Sequence, residues 1–302
     1  MFDPTQLAID VLVSHLEINY QRSYGRQNQA AIALIGRTAR QVLSILSESS
    51  APYHTVEHTL LTTWTGQAIL QGKQVRDGDV SPQDWLNFTI ALLCQDVGYV
   101  QGICPGDRLP ARRCVKNAAG KTVFLQPGCT DASLAPYHVD RSQIFVSARL
   151  GTELIDLEAV NAIIELTRFP IPAGDRYADT LSYGGLCRAA DLLGQISDRH
   201  YLQKLPALFQ ELAETGMNQQ LGYQHVGELR ASYPHFFWDI VYPYVQDSMF
   251  YLSATKAGQK VIASLHANLF VLRQEQRRQE SRANLAVEPA ELMTWSHGAL
   301  WM

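Results

Sequence analysis

The chain lacks any uninterrupted apolar run near the ~18 residues that a membrane-spanning helix needs, and its first residues, "MFDPTQLAIDVLVSHLEINYQR", lack the basic start and apolar centre of a signal peptide. The expected location is therefore the cytoplasm, with no membrane contact. It also lacks a charge excess. With a formal net charge of −4, no general attraction to nucleic acid or anionic lipid is expected, and such binding would need a local patch. Its five cysteines, Cys94, Cys104, Cys114, Cys129 and Cys187, form no C-x-x-C pair, which argues against a zinc ribbon and a disulfide framework and leaves free thiols. Strand-like alternation is almost absent.

What the chain has is helical periodicity. Apolar residues recur at steps of three and four in "QAAIALIGRTARQVLSILSE", "HTLLTTWTGQAILQG" and "QDWLNFTIALLCQDVGY". Stop signals fall near 47–53, 77–82, 169–175 and 232–236, where Ser or Asp caps the next helix and Pro or Gly ends the previous one. The expected fold is a compact all-α domain over 1–302. Residues 101–136, with four Gly and four Pro, break the pattern and read as an irregular insertion with a hairpin through "KTVFL". The charged stretch 273–282 reads as the solvated end of a helix.

Three placements point to chemistry. In "PYHTVEH", the spacing of His54 and His58 puts both imidazoles on one face of a helix start; alone, such a pair also serves as surface or capping residues. In "ALLCQDVGY", Asp96 follows a hydrophobic helical run, a costly position for a carboxylate without a cation or donor. In "GLCRAADLLGQIS", Asp191 is embedded in small and apolar residues. One imidazole and two carboxylates converging from separate helices would suit a divalent cation, Mg²⁺, Mn²⁺ or Zn²⁺, with positions left for water and substrate.

These residues resemble the HD superfamily of metal-dependent phosphohydrolases, and within it the cyclic-nucleotide phosphodiesterase fold, over roughly residues 50–250. The order H…HD…D is met by His58, Gln95-Asp96 and Asp191; "YHTVEHT" follows a YHNxxHA motif at Tyr53, His54 and His58; "YHVDRS" at 137–142 approximates YNDxS; "FFWDIVYP" at 236–243 looks like the purine-clamp helix, with Phe236 as the stacking ring. The resemblance implies that His58, Gln95, Asp96 and Asp191 hold metal and that Asp96 bridges two ions to generate an attacking hydroxide. It makes His54 the proton donor to the leaving oxygen, with Glu57 as a candidate to orient it. The substrate implied is a phosphate ester or diester, nucleotides included, bound by Tyr53, Phe236, Tyr233, Arg108 and His138.

The departures weigh on function. Gln95 stands where the family has histidine, which weakens metal binding; His138 is the nearby imidazole that could replace it. Tyr99 replaces a second histidine, and Tyr233 stands near the place of the purine-selecting glutamine, so cyclic AMP and cyclic GMP are expected to bind poorly. Arg108, Arg112, Arg113, Lys116 and Lys121 concentrate positive charge in the insertion, either to steer a phosphorylated ligand or as a solvated loop. Two functions follow: a phosphohydrolase with weakened activity, or an inactive relative serving as a nucleotide-binding or protein-interaction module, with a protein partner.

Overall fold

A computed structural model gives the fold, and residues 3–287 are described. The all-α expectation holds. The helices are α1 Pro4–Tyr24, α2 Gln29–Ser47, α3 Val56–Arg76, α4 Pro82–Cys94, α5 His138–Arg149, α6 Leu157–Glu165, α7 Asp175–Ala178, α8 Tyr183–Ile196, α9 Tyr201–Thr215, α10 Met217–Gln220, α11 Val226–His235, α12 Tyr242–Leu252 and α13 Lys256–Val287. Among the described residues, none of them is long and apolar enough to cross a membrane. The sequence-based extension of the domain beyond Val287 falls outside the described residues.

Two helices form the centre. The most extensive packing is between α3 and α8, and Gly194 permits it: a Cβ there would lie 2.9 Å from the Thr62 Cα. Because Thr62 lies one turn after His58 and Gly194 lies three residues after Asp191, this contact sets the distance between those two side chains. The other central element is α4, which begins on a reciprocal cap. Ser81 Oγ accepts from the Asp84 N–H at 3.1 Å, while Asp84 Oδ2 accepts from the Ser81 N–H at 3.2 Å. Every residue from Trp85 to Cys94 is buried, as befits a helix apolar on all sides. That helix delivers Gln95 and Asp96 to the interior.

The insertion folds as expected, with a hairpin pairing β1 Arg113–Val115 to β2 Thr122–Phe124. Its anchor is Arg141 on α5, whose side chain is fully buried. The guanidinium donates to the carbonyls of Gly98 and Val100, both at 2.7 Å, and of Val115 at 2.5 Å, and it pairs with Asp107 at 3.0 Å. Arg141→Met would leave the Asp107 carboxylate buried and unpaired. The expected loss is about 3–5 kcal/mol of unfolding free energy, measured by urea titration, and adding Asp107→Leu should recover part of it.

One stop signal fails. Around Pro234 the chain stays helical, passing from α11 through a π-helical turn at Phe236–Val241 into α12. Pro234 removes a backbone donor, and a wider turn absorbs the defect instead of ending the helix. The charged stretch near 273–282 belongs to α13, where Glu275 accepts from Nε and Nη2 of Arg230 at 2.7 and 2.8 Å.

Candidate metal centre

His58, Asp96 and Asp191 come together from α3, the end of α4 and α8, with one ligand atom from each within 4.8 Å of the others. Asp191 Oδ1 lies 2.9 Å and Asp96 Oδ2 3.2 Å from the same nitrogen, His58 Nε2. That nitrogen carries one hydrogen at most. Asp191 takes it, and Asp96 Oδ2, buried, accepts no hydrogen bond. Burial pushes the His58 imidazolium down, but the Asp191 and Asp96 carboxylates outweigh it and hold the pKa at about 10. Burial also disfavours the charged Asp96 carboxylate, yet the adjacent His58 imidazolium keeps it well below the usual range. Asp191, at 20% side-chain exposure, is the open edge of a triad whose other members are 4% and 6% exposed.

A buried carboxylate oxygen without a hydrogen, facing a second carboxylate across an imidazole, is a donor set that a divalent cation could use. Two hard oxygens and one nitrogen suit Mg²⁺ or Mn²⁺, and Zn²⁺ with further ligands. Gln95 is buried: its Oε1 accepts from the Cys187 thiol at 3.4 Å, and its Nε2 has no hydrogen-bond partner. Burial, with Asp191 and Asp96 adding to it, keeps the Cys187 thiol well above its usual pKa and so protonated.

His54 stands beside the triad, its ring 5.0 Å from that of His58. Its Nδ1 lies 2.5 Å from Glu211 Oε2 on α9, and Glu211 Oε1 accepts from the backbone N–H groups of Tyr53 and His54 at 2.7 and 3.0 Å. Glu211, not Glu57, orients His54. Glu57 pairs instead with Lys204, at 2.8 Å. Burial lowers the His54 pKa, but the Glu211 charge and hydrogen bond prevail and raise it. The ring is fixed further by stacking on Tyr99, 4.4 Å away. His138 stacks on the opposite face of Tyr99 at 4.7 Å and donates from Nδ1 to the Ala135 carbonyl. It is separated from His54 by that ring and does not join the triad, so it supplies no substitute for a histidine at 95.

The other expected residues divide. Tyr53 lies at the site, its ring 5.4 Å from His58 and its hydroxyl donating to Gln195 at 3.2 Å. Ser142 stitches α5 to the turn carrying Asp96 by donating to the Gln95 carbonyl and accepting from the Gly98 N–H. Asp140 points elsewhere, to Arg168 at 2.9 Å. Tyr233 is core, edge-on to Tyr201 at 5.0 Å, and Phe236 packs on Tyr233 and Phe169. Arg108 is exposed and donates to the neighbouring Asp107 carbonyl, while Arg112 holds the carbonyls of Leu125 and Cys129. Part of the basic loop is thus used to hold the insertion together.

Over residues 2–275 the chain matches the Npun_R2479-like family. It belongs to that family. No curated protein and no solved structure matches. Within this member of the Npun_R2479-like family, the residues that sequence reading missed are Glu211, Gln195, Asp198 and Lys204. One signal existed for Glu211, since Leu205, Leu208 and Glu211 follow at steps of three and place a carboxylate on the buried side of α9.

Proposed function

We propose that this protein is a metal-dependent phosphohydrolase of the HD type, acting on a phosphate ester or diester. The observation that carries the reading is Asp96 Oδ2, buried and without a hydrogen, 3.2 Å from a nitrogen whose proton belongs to Asp191. His58, Asp96 and Asp191 would hold the cation. When bound, it polarises the phosphoryl group and acidifies the attacking water. His54, kept protonated by Glu211, gives its proton to the departing oxygen from its free Nε2. The Tyr99 stack and the Glu211 hydrogen bond fix that ring in plane and direction. Asp191, at the open edge, is where substrate would approach.

Gln95 favours a second reading, a phosphate-ligand-binding module without turnover, because its amide oxygen accepts from Cys187 and a neutral amide is a poorer metal ligand than the imidazole it replaces. One experiment separates the two. Purified protein is titrated with Mn²⁺ by calorimetry, and hydrolysis of a chromogenic phosphodiester is followed with and without the metal. Metal-dependent turnover that Asp96→Asn removes supports the enzyme; Mn²⁺ binding without turnover supports the module; no binding of Mn²⁺, Mg²⁺ or Zn²⁺ removes both. Gln95→His is expected to tighten Mn²⁺ binding by about 10–100-fold, the range seen when metal surroundings change, and to raise turnover with it.

A further inference from the structure

A cavity of about 210 Å³ opens beside His58, lined by Tyr53, Thr55, Glu57, Gln195, Asp198 and Lys204 among others. His58, a member of the triad, is part of the lining, and Gln195 lies one helical turn after Asp191, about 6 Å along α8. Lys204 and Glu211 share a face of α9, seven residues apart, and so the same helix serves the cavity and His54. A substrate whose phosphate reaches the triad would place its neighbouring atoms here.

The walls say what those atoms are. Lys204 Nζ lies 2.5 Å from Asp198 Oδ2 and 2.8 Å from Glu57 Oε1, which leaves it a third hydrogen to donate. Asp198, 6% exposed, already accepts from the His200 N–H on Oδ1 and faces Lys204 with Oδ2. Any further hydrogen goes to a second lone pair of one of these oxygens, while the more exposed Glu57 has oxygen free to accept. Gln195 is held by the Tyr53 hydroxyl on its Oε1, which directs its Nε2 hydrogens to another partner. Donors and acceptors therefore alternate within one small space, and hydroxyl groups satisfy both. Lys204, Asp198 and Glu57 together carry one net negative charge, so a second anionic group would be repelled. The volume lies below the range of roughly 300–1,000 Å³ for drug-sized ligands and suits a single ring or a short chain.

We infer that this cavity reads hydroxyl groups, and that the substrate is a phosphomonoester of a sugar or polyol whose hydroxyls meet Lys204, Asp198 and Gln195. The inference rests on the phosphohydrolase reading for the phosphate, but not for the cavity. The ribose of a nucleotide presents the same chemistry.

The test is calorimetric titration of the Mn²⁺-loaded protein with a pentose 5-phosphate, with tetrahydrofurfuryl phosphate, which has the ring without its hydroxyls, and with a pentose bisphosphate. The pentose phosphate should bind about tenfold or more tighter than the hydroxyl-free compound, the sum expected of two ordinary hydrogen bonds. The bisphosphate should bind no tighter. Gln195→Leu and Lys204→Met should abolish the discrimination while Mn²⁺ affinity stays unchanged; circular dichroism checks their folding, and Gln195→Leu alone decides if Lys204→Met, which strands Asp198, does not fold. Equal binding of the two monophosphates, or preference for the bisphosphate, overturns the inference. A nucleoside monophosphate that binds tighter than the pentose phosphate assigns the cavity to a nucleotide ribose, and one that binds more weakly assigns it to a free sugar phosphate. If Mn²⁺ does not bind, the metal reading fails by itself and free pentose is used instead. Saturation transfer lost in Gln195→Leu then supports the cavity, and absence of transfer to the wild type overturns it.

Discussion

His58→Ala is expected to lower the unfolding free energy of the metal-free protein by about 3–5 kcal/mol and to abolish Mn²⁺ binding. The imidazole stands between Asp191 and Asp96, 2.9 and 3.2 Å away, and its removal leaves the buried Asp96 carboxylate facing the partly exposed one of Asp191 without a cation. The pH dependence gives the signature. The folded pKa of about 10 lies above the ordinary 6.5, so the charged imidazole binds its proton more tightly in the native state. Its stabilisation is complete below pH 6.5 and disappears as pH rises through about 10. Urea titrations of wild type and His58→Ala at pH 6 and pH 10 should therefore converge at the higher pH. Metal must displace that proton, so Mn²⁺ affinity should rise with pH, and calorimetry in buffers of different ionisation enthalpy should register proton release. A variant as stable as wild type at pH 6 would remove the charge-paired triad from the account.

His54→Asn should reduce metal-dependent hydrolysis by roughly 10²–10⁴-fold, the usual contribution of a positioned general acid, with Mn²⁺ affinity nearly unchanged. Glu211→Gln tests the positioning separately. Glu211 raises the His54 pKa, so the charged, proton-giving form survives above pH 6.5 in the wild type. With an amide at 211 that support is lost, and the alkaline limb of the pH–rate profile should move to lower pH. The deficit of Glu211→Gln should accordingly be larger at pH 8 than at pH 6. A purely structural role would scale the rate by one factor at every pH, and such a flat ratio would refute the assignment.

The triad was legible because each member violates a local expectation. Asp96 ends an apolar helix, Asp191 sits among small and apolar residues, and His58 repeats His54 at one helical turn. Such violations are visible residue by residue. The partner of His54 was not legible in the same way: Glu57 lies three residues along the chain and Glu211 lies 157, and only the packing of α9 against the start of α3 decides between them. His138 shows the converse limit. Its residue type and motif suited a ligand, but Tyr99, counted as a lost histidine, occupies the space between it and His54. The helix class and the insertion hairpin followed from periodicity and turn residues. The continuous passage from α11 into α12 did not, because a proline signals a lost hydrogen bond without saying whether the helix ends or widens.

Arg141 has a mechanical meaning. The carbonyls it grips, Gly98 and Val100, follow Asp96 by two and four residues, while its other contacts, Asp107 and Val115, belong to the insertion. One rigid, planar cation thus clamps the turn that carries Asp96 and the base of the hairpin in a single joint. The hairpin cannot lift away from that turn without breaking Arg141 bonds to Gly98 and Val100, two and four residues beyond Asp96.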